Sequence, residues 1–139
     1  FPEIEGLQAF DEVAATLDCI EQLKPLTVIP GHGSLFSDVE TALAIARKRL
    51  DGFVQSPLRH ASYAAKVLLK YKLLEWQQIS LQDLGQWLQN TPYFGVLHQR
   101  YFGEQTQAQW QQSLVDALVT SKAASLQPRE GQSPLLLNL

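Results

Sequence analysis

One seven-residue stretch, Thr27-Val28-Ile29-Pro30-Gly31-His32-Gly33, constrains this chain more than any other. Val28 and Ile29 are β-branched and suit a pleated, buried surface, so they read as the end of a buried strand. Pro30 lacks an N–H and cannot continue a ladder, which places the strand's exit there. Gly31 and Gly33 open backbone conformations closed to other residues, so the chain can double back with the His32 imidazole at the apex. The residues alone leave two readings open. His32 is a metal ligand, acid/base group or ligand contact, or it caps a helix or fills a gap in an ordinary turn.

A metal reading demands partners, because zinc takes about four ligands. His60 and His98 fall in helix-like segments without ligand spacing to His32, and Cys19 lies inside a helix far from any second cysteine. No self-contained metal site is visible. A single cysteine excludes an internal disulfide framework and fits a reducing, cytoplasmic setting. No charged-then-apolar leader and no long apolar span signals secretion or membrane insertion. The absence of methionine suggests a processed chain or a piece of a longer one.

Charge is mild in sum, −3, but uneven along the chain. Residues 1–40 hold eight acids and one base, net −7, whereas residues 41–75 hold seven bases and two acids, net +5. The basic middle comprises Arg47, Lys48, Arg49, Arg59, Lys66, Lys70 and Lys72. It is a solvated helix face, or it meets an anionic ligand or acidic surface.

From the start, Phe1 to Gly6 has no periodicity to classify it. Asp11 caps a helix with Val13, Leu17, Ile20 and Leu23 at helical spacing, and Pro25 stops it. The strand-like Leu26–Ile29 and the glycine turn follow. Ser37 and Glu40 form a capping box ahead of a helix using Val39, Leu43, Ala46, Leu50 and Phe53. Residues 11–54 thus read helix, strand, histidine turn, helix: an incomplete α/β element, since one strand cannot satisfy its own backbone hydrogen bonds.

This order, with Pro-Gly-His-Gly between strand and helix, resembles the C-terminal part of the metallo-β-lactamase superfamily, nearest the glyoxalase II-like and β-lactamase-like hydrolases with a helical tail domain. The resemblance covers residues 1–55. It implies a metal ligand at His32 alone, and an intact parent holding two metal ions, zinc by default, whose bound hydroxide attacks an ester, thioester, lactone or phosphodiester. The family's His-X-His-X-Asp-His signature, second-site histidine and bridging aspartate precede this turn and are absent here. The isolated chain is therefore expected to carry no metal and to be inactive. Its implied partners are the remainder of the parent chain and a small-molecule substrate.

Residues 56–139 are organised separately. Ser56-Pro57 opens a helix running from Leu58 to about Tyr71. Leu73–Ile79 is ambiguous, with Trp76 as the expected buried anchor. Ser80 and Asp83 resemble a capping box for a short helix using Leu81, Leu84 and Leu88. Thr91-Pro92 opens another with the aromatic face Tyr93, Phe94, Leu97 and Tyr101. Thr106 and Gln109 open a last helix with Trp110, Leu114 and Leu118 inward. Ala123–Leu126, a Pro-Arg-Glu-Gly turn at 128–131, and Pro134–Leu139 read as a loose β-hairpin, or as a frayed tail.

Helices followed by a hairpin resemble a winged-helix tail domain, with an additional helix near 92–102. The expected fold class is thus an α/β fragment at 1–55 and a mainly α, winged-helix-like domain at 56–139, predominantly helical as a whole. Nucleic acid is a disfavoured partner, because the helix at 106–121 has no basic residue and carries Asp116. The alternative is an interaction or homodimerisation domain, to which Tyr93, Phe94, Tyr101 and Phe102 would contribute if exposed.

Overall fold

A computed structural model describes residues 2–6 and 8–139. The chain is predominantly helical with one small three-stranded antiparallel sheet. It divides into two compact units, Phe1–His60 and Ala61–Leu139. No helix among the described residues is long and apolar enough to cross a membrane.

The first unit contains α1 (Pro2–Glu5), α2 (Gln8–Leu23) and α3 (Val39–Gln55). The opening segment therefore holds a short helix that no periodicity announced; Phe1 itself lies outside the described residues. Helix α2 begins three residues before the expected cap, so Asp11 lies in its first turn, where a carboxylate suits the helix dipole. Its end matches expectation. Lys24 takes a left-handed φ of 46° and Pro25 follows, so the helix cannot continue.

Helix α3 is capped by Asp38, which accepts from the Thr41 N–H at 3.3 Å, one residue beyond the expected Ser37 cap. Arg47 on α3 joins the helices by donating to Asp18 and Glu21 of α2 at 2.8 and 2.9 Å. Among the described residues of this unit only Phe10, Val39 and Leu43 are buried apolar side chains, together with the acid Glu3.

The second unit is built differently. Helix α4 (Pro57–Trp76) crosses the division between the units and supplies Ala61, Ala65, Leu69 and Leu73 to the core of the second. Then come β1 (Gln78–Ser80), α5 (Leu81–Asn90), α6 (Pro92–Tyr101), α7 (Gln107–Thr120), β2 (Ala124–Arg129) and β3 (Gln132–Asn138). Spatial strand order is β1-β3-β2, with Ile79 and Leu126 both opposite Leu136.

The caps at Ser80 and Thr106 are those the sequence signals, whereas Thr91 heads α6 by position alone, its hydroxyl donating to the Trp87 carbonyl at 2.7 Å. Ser80 accepts from the Asp83 N–H at 3.0 Å. Thr106 and Gln109 make both reciprocal bonds of a capping box, at 2.8 and 3.2 Å. Trp110 is the buried anchor rather than Trp76. It lies within a cluster with Phe94, Phe102 and the His98 ring at 5.2–6.1 Å. Trp76 instead ends α4, edge-on to Trp87 with the Lys72 ammonium above it.

Two features of this unit exceed what the sequence suggested. The hairpin strands run to Arg129 and from Gln132, leaving only Glu130-Gly131 as the turn, and β1 adds a third strand. Pro134 sits inside the central strand because the ladder is irregular there. The register shifts between Gln127 and Arg129, and the Arg129 guanidinium donates to the Ser133 carbonyl at the bulge. Gly85 is the second: a side chain there would collide with Gln111 Oε1 at 2.7 Å, the glutamine that donates to the Leu81 carbonyl.

Candidate metal-ligating turn

His32 stands on a bend from Gly31 to Gly33, inside a loop closed by one antiparallel bridge. Val28 donates to the Phe36 carbonyl at 2.8 Å and Phe36 donates back at 3.1 Å. The expected buried strand Leu26–Ile29 is reduced to this bridge. Leu26 is 87% and Ile29 86% exposed, because the described residues of this unit offer the segment no neighbouring sheet.

Gly33 has a φ of 91°, open to glycine at little cost. Gly31 does not take a positive φ, and a Cβ at either position would meet nothing within 4 Å. Only Gly33 is therefore required by the backbone. The His32 side chain is exposed and projects from a loop whose flanks are fixed by a proline and a backbone bridge.

The other candidate ligands lie elsewhere. His60 sits on α4 with Nε2 2.8 Å from a Glu3 carboxylate oxygen, its ring edge-on to Phe10 and Phe53. Its Nδ1 is buried without a hydrogen-bond partner among the described residues. No pattern in the chain announces this pair, since Glu3 lies in a segment without periodicity and 57 positions away. His98 Nε2 lies 2.9 Å from the Gln105 carbonyl and packs on Trp110, a core role. Cys19 is exposed and unpaired.

Among the described residues no group of three or more His, Cys, Asp or Glu side chains could hold a metal. His32 thus supplies one donor where a bound ion needs about four, and these residues do not by themselves fit the zinc pair that the resemblance implies. A broad groove of about 840 Å³ lies between the end of α2 and the start of α3, lined by Ile20, Leu26, Asp38, Leu43 and Arg47, and it does not include His32.

The Arg47 guanidinium in that groove titrates above its ordinary value. The hydrogen bond it donates to Asp18 is the main cause; Glu21 adds to it, and partial desolvation opposes it. Two more bases of the basic middle are likewise committed to oxygen partners. Lys72 binds Glu75 at 2.8 Å, and Lys70 donates to the Ala123 and Leu139 carbonyls and to Asn138 Oδ1. No family model, no curated protein and no solved structure matches the chain.

Proposed function

We propose that residues 1–55 are the C-terminal piece of a metallo-β-lactamase-like domain, that His32 is one metal ligand of the assembled enzyme, and that residues 56–139 form its winged-helix-like tail. The reaction class is metal-dependent hydrolysis of an ester, thioester, lactone or phosphodiester. One observation carries the reading: a histidine held outward by a proline, a positive-φ glycine and a backbone bridge, on an extended segment whose apolar side chains are left uncovered. The ends of strands in α/β sheets are where such proteins put site groups. Because the remaining ligands are not among the described residues, no catalytic step is derived for this chain alone.

The tail reading draws support from the element order and from the strand order β1-β3-β2. A nucleic-acid role is disfavoured by α7, whose outward face carries Gln109, Gln112 and Asp116 and no cation. Phe94 and Phe102 are buried, which removes them from any entrance or dimer contact.

The test is metal content. Zinc measured in the protein expressed from the full reading frame that contains this chain should fall by about half on His32→Ala, with loss of hydrolysis, if two ions share the site. Unchanged zinc and unchanged hydrolysis would remove His32 from the ligand set. Titrating zinc chloride into the isolated chain should show no stoichiometric site.

A further inference from the structure

A concave groove of about 370 Å³ lies on the second unit, between the outer side of α4 and the junction of α7 with β2. Along α4 it is lined by Tyr63, Lys66, Val67, Lys70, Tyr71 and Leu74, which follow the three- and four-residue spacing of a single helix face. The opposite stripe, Ala61, Ala65, Leu69 and Leu73, is the one buried in the core. Helix α4 is thus apolar on two sides while only one is covered by its own unit. Tyr71 is 65% and Leu74 46% exposed.

The groove's shape and charge choose its occupant. From Tyr63 to Leu74 it runs for about 16 Å at 1.5 Å per helical residue, room for about three turns of a second helix. Its lining contains two lysines and no carboxylate, and Lys122 sits between the lining residues Ser121 and Ala123. Lys70 is anchored by its three oxygen partners, which fixes its ammonium at the floor. The Lys66 ammonium lies 5.9 Å from the Tyr63 ring, at the rim.

Added strands are a poor fit for this part of the molecule. Edge strand β1 has three residues, and edge strand β2 contains Pro128 and an irregular register, devices that oppose further pairing. A second copy presenting the same lysine-bearing face would set like charge against like, and a membrane would favour a convex face over a concave one. We propose that this groove seats an amphipathic helix of a protein partner, with heptad-spaced apolar residues flanked by Asp or Glu. The inference does not depend on the reading of His32.

The probe is a fluorescein-labelled peptide of about 14 residues with heptad-spaced leucines flanked by glutamates, and a counterpart with lysines in place of the glutamates. Anisotropy is measured against the full chain at about 0.15 M salt. The glutamate peptide should bind at least about tenfold tighter than the lysine peptide, and Leu74→Glu and Lys66→Glu should each weaken it at least about tenfold. Far-ultraviolet circular dichroism checks that each variant is folded, and Tyr71→Glu repeats the test should Leu74→Glu unfold.

Equal affinity for the two peptides, no binding of either, or binding that ignores these substitutions overturns the proposal. Concentration-dependent self-association in sedimentation, lost on Leu74→Glu and unaccompanied by peptide binding, would assign the groove to a second copy instead. Leu74-dependent binding to phosphatidylserine–phosphatidylcholine vesicles without peptide binding would assign it to a membrane surface.

Discussion

Lys70 ties helix to sheet in the second unit. Its ammonium donates at 2.6 Å to the Ala123 carbonyl, at 2.6 Å to Asn138 Oδ1 and at 2.9 Å to the Leu139 carbonyl. It therefore ties the middle of α4 to the start of β2 and the end of β3. Lys70→Met keeps most of the aliphatic stem and removes all three donors. A part-buried hydrogen bond to a charged group contributes about 1.5–3 kcal/mol, and two of the three are of that kind. The exposed third is offset by water.

The Ala123 acceptor is not fully orphaned, since its oxygen also receives the Leu139 N–H at 3.4 Å, whereas Asn138 Oδ1 loses its ammonium donor and its amide nitrogen stays on Gln77 Oε1 at 3.3 Å. Two such bonds sum to about 3–6 kcal/mol, and the shared Ala123 acceptor places the net loss near the lower end, about 3 kcal/mol. Urea denaturation followed by tryptophan emission isolates the effect, because Trp76, Trp87 and Trp110 all lie in the second unit. Lys66→Met, one turn earlier on the same helix, is the control and should stay within about 0.5 kcal/mol of the parent. If Lys70→Met matches that control, the three bonds do not stabilise the unit and the reasoning fails.

Trp110→Ala should cost about 3–5 kcal/mol, because a fully buried indole packed on three rings leaves a cavity its neighbours cannot close; chemical denaturation followed by circular dichroism would expose the error if the loss were below about 1 kcal/mol. Lys122 holds a left-handed φ of 56° after α7, so Lys122→Gly should raise the stability of the second unit by about 0.5–1 kcal/mol, and a loss on the same denaturation curve would contradict this. For Arg47, whose folded-state value is raised, the contribution to stability is complete below the ordinary arginine range and is lost only as pH climbs past the raised value. The destabilisation from Arg47→Gln should accordingly be flat from about pH 6 to pH 10 and shrink with added salt; a step in that window would mean another group controls the α2–α3 contact.

Local chemistry was legible in the sequence wherever a residue acts on its own neighbourhood. Pro25, Ser80 and the Thr106–Gln109 box mark element ends because their effects reach only three or four residues. What escaped depends on contacts distant in sequence. Three-residue β1 has no period to detect and exists because Ile79 finds Leu136. Glu3 was illegible for the same reason, its partner His60 being on another helix. Trp110 was legible from its helical spacing with Leu114 and Leu118, whereas Trp76, read as a buried anchor, is only half-buried because it ends α4. At the turn, the sequence identified the bend and its imidazole, while Leu26 and Ile29 were expected buried because β-branched and leucine-rich runs usually are. Their exposure reflects what lies beside them, a property no local pattern encodes.

The unequal interiors of the two units bear on what a stability measurement of this chain can mean. A 15-residue apolar core closes the second unit, all of it between Ala61 and Leu136, while the described part of the first encloses only Phe10, Val39 and Leu43. Cooperative opening scales with such enclosure, so amide protons of α2 and α3 should exchange through small, frequent openings while those of α4 and α7 wait for global unfolding. A calorimetric trace would then sum two events, and a van't Hoff enthalpy from either helicity or emission would fall short of the calorimetric one. Two free energies of folding, rather than one, would then describe the chain.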